Sequence, residues 1–142
     1  MHELGLRCNV LGSDSLGLDD FWADNPDLTE GLRCANFFVL VPENRRGAEM
    51  VARYRQLTGI DPDYGQVFAY DAVYLVREAV LHGGFSREKV RAYLDRLIRD
   101  QIPIEGAGGS YLIGSDHDAK RPFFIVEVKN GRQQHLATLN GN

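Results

Sequence analysis

The sequence predicts an α/β fold with a mostly parallel sheet, and three observations carry that expectation. Short apolar runs rich in strand-forming residues lie near the amino end, three amphipathic helical stretches follow one another between residues 44 and 100, and two extended runs near the carboxyl end flank Asn130-Gly131.

Taken in order, residues 7–12 (Arg-Cys-Asn-Val-Leu-Gly) read as a short buried strand that ends at a glycine and leads into the polar turn Ser13-Asp14-Ser15. A short helix is expected from Gly17 to Asn25, with Leu18, Phe21 and Trp22 on one side and Pro26 as its stop. Glu30-Gly31 opens a second extended run, Leu32 to Val41, which Pro42 ends. Asn44 is the candidate N-cap of a helix through about Thr58, in which Met50, Val51, Tyr54 and Leu57 recur with helical spacing and after which Gly59 signals a C-cap. A longer helix is expected from about Tyr64 to His82, with Val67, Tyr70, Val73, Val76 and Val80 on its apolar side and Gly83-Gly84 at its close. Ser86 caps a third, whose stripe of Val90, Tyr93, Leu94, Leu97 and Ile98 stands opposite Arg87, Lys89, Arg91, Arg96 and Arg99. Helical periodicity then stops: glycines 106, 108, 109 and 114 punctuate a short extended segment, Ser110 to Ile113. Phe123 to Lys129 and Gln133 to Leu139 pair about Asn130-Gly131, the strongest short-range signal of a two-residue hairpin turn.

A chain of 142 residues, 44% hydrophobic and 25% charged, has the length and composition of an ordinary globular domain. Its net charge of -4 argues against a nucleic-acid binder, which needs a Lys/Arg surplus on one face. The longest apolar runs, such as Phe37–Val41 and Phe123–Val126, fall far short of the ~20 residues of a membrane-spanning helix, and Met1-His2-Glu3 does not open a signal peptide. Cys8 and Cys34 lack metal-ligand spacing, which leaves two buried thiols or one disulfide as the readings.

No catalytic constellation is present: G-x-S-x-G, P-loop, G-x-G-x-x-G and H-E-x-x-H patterns are missing, and residues 106–109 (Gly-Ala-Gly-Gly) do not open a helix after a strand. No enzyme activity, cofactor or metal is expected. Asp116-His117-Asp118 holds ligand-type residues but reads as a turn in which Asp side chains bond the backbone. The strongest binding candidate is Gly12-Ser13-Asp14-Ser15, a carboxylate between two hydroxyls just past the end of a strand. Ligands bind outside the carboxyl ends of strands in α/β sheets, and a ligand ammonium group suits such a set. The competing reading is that Asp14 or Ser15 caps the next helix. Tyr64-Gly65, at the start of the long helix, suits either a pocket wall or the core.

Gly12–Ser15, Thr29-Glu-Gly-Leu32, Phe68-Ala-Tyr-Asp-Ala-Val73, Ile104-Glu-Gly-Ala-Gly-Gly109, and Pro122 to Val128 with Lys129–Arg132 follow one another over nearly the whole chain. In that order and spacing they resemble the C-terminal part of type I periplasmic solute-binding proteins, the branched-chain amino-acid-binding kind. The resemblance implies parallel-sheet segments from two lobes of a clamshell, with a C-terminal β-hairpin, and solute trapped in the cleft for an ABC transporter. By that likeness residues 1–34 end the second lobe, 35–107 belong to the first lobe with its three helices, and 108–142 form the return crossover and the hairpin of the second. Asp14 falls where the family receives a ligand's ammonium group, with Ser13 and Ser15 beside it and Tyr64 or Gly65 near the apolar pocket wall. Ala35, Asn36, Gly109 and Ser110 fall at hinge crossings. The family's Thr-Gly-Pro-Ile-like stretch and Asp-x-x-Gly-Asp turn are replaced here by Gly108-Gly-Ser-Tyr111 and Ser115-Asp-His-Asp118.

The resemblance implies a periplasmic or membrane-anchored extracellular receptor for a small amino acid or amide. Its N-terminal half has no counterpart in these residues, so the chain alone is expected to bind little solute and to self-associate, as a homodimer, through open sheet edges. The same clamshell also serves as the sensing module of receptors and amide-responsive regulators, which is the alternative reading.

Overall fold

The computed structural model of the chain describes residues 9–17 and 26–140. In chain order the elements are β1 (Leu11–Gly12), a 3-10 turn (Asp14–Gly17), α1 (Pro26–Thr29), β2 (Arg33–Asn36), α2 (Arg45–Thr58), α3 (Tyr64–Gly83) and α4 (Arg87–Arg99). They are followed by β3 (Ile104–Gly106), β4 (Gly109–Ile113), β5 (Ala119–Lys120), β6 (Phe123–Lys129) and β7 (Arg132–Leu139). Leu18, Phe21 and Trp22 of the expected short helix, and Cys8, lie outside the described residues.

The chain divides into two units: residues up to Val39 with Phe123–Asn140, and Leu40–Pro122. The first unit holds a sheet in the order β1-β2-β6-β7. β1 runs parallel to β2, with Leu11 beside Arg33 and Gly12 beside Cys34, while β2–β6 and β6–β7 are antiparallel. The expected mostly parallel sheet is therefore corrected: β1–β2 is the single parallel pair among the described strands. For β6–β7 the cause is local, because the two-residue turn at Asn130 (φ 53) and Gly131 (φ 67) forces the two strands to run in opposite directions. β2 is also shorter than the expected run to Val41. The Asn36 side chain accepts the Phe38 N–H at 3.2 Å, and this local bond takes the backbone out of the ladder. Cys34, Val126 and Val128 are fully buried and form the centre of this sheet's core.

In the second unit the expected helix signals act as read. Asn44 accepts the Gly47 N–H at 2.8 Å, Gly59 closes α2 at φ 80, and the Ser86 hydroxyl accepts from Lys89 N at 3.3 Å. Asp63 and Gln66 form a reciprocal capping box at the start of α3. The buried face of α3 differs from the expected stripe. Val67, Asp71 and Ala79 are buried at helical spacing, whereas Val73 and Val76 are 68% and 58% exposed. α3 thus carries two apolar faces, and within its unit it turns the one containing Asp71 inward toward α4 and β3. Three elements had no sequence forecast: β3 and β5, which pair with β4 on either side, and α1, where Pro26 begins a helix instead of stopping one. No helix among the described residues is long and apolar enough to cross a membrane.

Candidate functional site

Gly12 ends β1, and Ser13 leads into the 3-10 turn that opens at Asp14. Leu16 N donates to Ser13 O at 3.1 Å, which closes the turn. A Cβ on Gly12 would come 2.5 Å from Leu16 Cδ1, so the glycine lets Leu16 fold back over the strand end. Ser13 and Ser15 are exposed, and Asp14 between them is half-buried. The three candidate polar residues are thus grouped just beyond the carboxyl end of a strand with a parallel neighbour.

Tyr64 and Gly65 belong to the second unit, in the first turn of α3. Gly65 N donates to the Asp63 carboxylate at 2.6 Å, and the half-buried Tyr64 ring lies 6.1 Å from the Phe68 ring. Ala35 and Asn36 stand in the first unit's ladder opposite Ile125 and Phe124, and Asn36 Nδ2 donates to Gln133 Oε1 at 2.7 Å. Gly109 and Ser110 stand opposite Gly106 and Glu105 in the second unit's β3–β4 hairpin. The chain changes unit after Val39 and after Pro122, so residues 108–122, expected to travel with the C-terminal hairpin, stay with 40–107. The physical reason is the β3–β4–β5 pairing, which ties them there.

The turn reading of residues 116–118 agrees with the geometry. Asp116 accepts the Asp118 N–H at 3.1 Å and pairs with Lys120 Nζ at 2.7 Å, while His117 takes φ 68.

Sequence reasoning passed over a buried charge centre in the second unit. Asp71, 3% exposed, accepts the Ala107 N–H on Oδ1 at 2.5 Å and the Gly108 N–H and Arg121 on Oδ2, each at 3.1 Å. The Arg121 guanidinium lies 4.3 Å from the centre of the Phe68 ring and 3.7 Å from that of Tyr111, so its charge is held by a carboxylate and two aromatic faces. Burial pushes the Tyr111 hydroxyl above its ordinary pKa. Glycine is required opposite Asp71: a Cβ on Gly106 would sit 2.4 Å from Asp71 Oδ2, and one on Gly108 only 2.9 Å from Arg121. Asn44 Nδ2 donates to Ala107 O at 2.7 Å, and Arg46 donates to Glu105 O, so the same hairpin is held from α2 as well. A cleft of about 250 Å³ borders this centre, lined by Tyr74, Tyr93, Leu97 and Ile104 among others. The available signal was the i, i+4 alignment of Asp71 with buried Val67, together with a glycine cluster too dense for a simple strand.

A chain that leaves one strand-rich unit, builds a helical α/β unit and returns to the first sheet has the architecture of the two-lobed type I solute-binding proteins. The chain belongs to the periplasmic binding protein family, whose sequence profile matches residues 2–133. Among solved structures it is similar to a leucine-binding protein from Thermotoga maritima at 23% identity and TM-score 0.82, covering 98% of this chain and 39% of that one. It is also similar to an ABC transporter substrate-binding protein from Desulfitobacterium hafniense in complex with Leu, at 25% identity and TM-score 0.72, covering 95% and 37%. A third similar structure is the solute-binding protein of an ABC transporter from R. palustris in complex with benzoate, at 18% identity and TM-score 0.75, covering 93% and 36%. The chain therefore spans less than two fifths of the length of these proteins. No curated protein matches the sequence. Family and fold are those of solute-binding proteins, which are not enzymes.

Proposed function

We propose that these residues work as part of a two-lobed extracytoplasmic receptor that captures a small amino acid or related amide and delivers it to an ABC transporter permease. The family supports a location in the periplasm or at the outer face of the cell membrane. The observation that carries the reading is the position of Asp14, half-buried between exposed Ser13 and Ser15 just past β1. Asp14 pairs the ligand's ammonium group by charge-assisted hydrogen bonds, the two serines assist, and Tyr64 and Gly65 contribute to the wall of the other lobe. The segments where the chain changes unit, after Val39 a few residues beyond Ala35-Asn36 and after Pro122 rather than at Gly109-Ser110, act as the hinge region. As a separate chain the protein self-associates as a homodimer, which the exposed Val73 and Val76 and the sheet edges β1 and β7 favour.

The test is titration calorimetry of the intact receptor against leucine, isoleucine, polar amino acids and benzoate, with the native protein and with Asp14→Asn. A ligand bearing an ammonium group should bind, and the variant should lose about 30-fold in affinity, the worth of one charge-assisted bond of roughly 2 kcal/mol. Equal binding by both proteins, or binding of benzoate alone, overturns the role of Asp14.

A further inference from the structure

The second unit is entered at Leu40 and left at Pro122, and both ends are fastened to one short piece of backbone. On the entry side, Asn44 N donates to Val41 O at 3.0 Å, which fixes a turn right after the chain arrives. The Asn44 side chain then splits its bonds, with Oδ1 accepting from Gly47 N at 2.8 Å and Nδ2 donating to Ala107 O at 2.7 Å. On the exit side, Arg121 precedes Pro122 and is locked between Phe68 and Tyr111 with its guanidinium on Asp71. Asp71 holds the N–H groups of Ala107 and Gly108. Ala107 is thus gripped at its carbonyl by the entry segment and at its N–H by the carboxylate that holds the exit segment. The contact is close: a Cβ on Gly47 would lie 2.7 Å from Ala107 O, and one on Gly106 would collide with Asp71.

We propose that Asp71, Arg121 and Asn44 are positioning residues that moor both inter-unit connections to the Ala107–Gly108 turn. Resting on the clamshell reading above, this makes the turn a common fixed base from which the two connections bend as solute is enclosed. A carboxylate with two backbone donors and a sandwiched guanidinium is suited to that task, because Asp71, Arg121 and Asn44 are each oriented by at least two contacts.

Hydrogen–deuterium exchange on the full chain tests the mooring without any ligand, so its failure is separable from failure of the receptor reading, which the Asp14 titration decides. In Asp71→Asn, peptides covering 105–109, 38–44 and 118–122 should exchange about tenfold faster together, while the interiors of α2 and α4 accelerate distinctly less. Arg121→Met, which keeps an apolar stem between the two rings, should release the same three segments, and Arg121→Lys should restore part of the protection. If 105–109 loosens while 38–44 keeps its native rate in both variants, the turn is merely reinforced and the mooring is overturned. If all helices exchange faster by the same factor as these three segments, Asp71 and Arg121 serve global stability alone, and the proposal again fails.

Discussion

Two aspartates, Asp14 and Asp71, present the same carboxylate in opposite settings. Asp14 follows a strand end, half-buried, between two exposed hydroxyls. Asp71 lies on the inner face of α3 and accepts two backbone N–H groups and a guanidinium that is itself closed in by two rings. The first arrangement leaves hydroxyl groups at the surface, whereas the second has its strong donors in place and is built to stay shut. The buried carboxylate is enclosed by donors from three distant parts of the unit, and a buried charge needs that.

The largest effect that sharpens this contrast is on stability. Asp71→Ala leaves the Arg121 charge and two buried N–H groups without their carboxylate and should cost about 3–5 kcal/mol, whereas Asp14→Ala, in a half-buried turn at the end of a strand, should cost distinctly less. Urea denaturation of the two variants measures both, and equal losses would erase the distinction. The next effect compares two glycines. Gly106→Ala drives a Cβ against the immobilised Asp71 carboxylate and should cost about 1–3 kcal/mol. Gly12→Ala meets the free end of Leu16, which can turn aside, so its thermal midpoint should fall distinctly less. The smallest effect is a pH dependence in the first unit. Lys129 and Arg33 hold the Glu127 carboxyl below its ordinary pKa of about 4.3. Its stabilising contribution is therefore complete above that value and is lost as pH falls through the lower folded value. The stability of Glu127→Gln should thus decline less than that of the native protein below about pH 4.3, and parallel profiles would show that these ion pairs contribute nothing.

Elements governed by neighbouring residues were legible in the sequence. Asn44, Gly59 and Ser86 act through bonds within a single helical turn, and Asn130-Gly131 sets its hairpin through its own backbone angles. The polar group past β1 was legible for the same reason, as its residues are consecutive. Features made by distant partners were not. Asp71 meets Ala107 and Arg121 at separations of 36 and 50 residues, and a polar residue in a valine-rich helix reads as its outward face until those partners are known. The inner face of α3 was misjudged by the same route: Val73 and Val76 carry the apolar pattern, yet the helix turns toward Asp71 because the charge centre has to be enclosed. The early end of β2 depended on one side-chain bond of Asn36, which competes with strand pairing in a way that apolar content does not reveal.

Cys34 sits at the centre of the first unit's sheet, fully buried, its thiol pushed above the ordinary range by that burial. Thiol reagents attack the thiolate, so both its access and its ionisation wait for the strands around it to part. With Cys8 replaced by serine, the rate at which the remaining thiol takes up a label becomes a clock for the opening of β2 and β6, a built-in reporter that runs without bound solute.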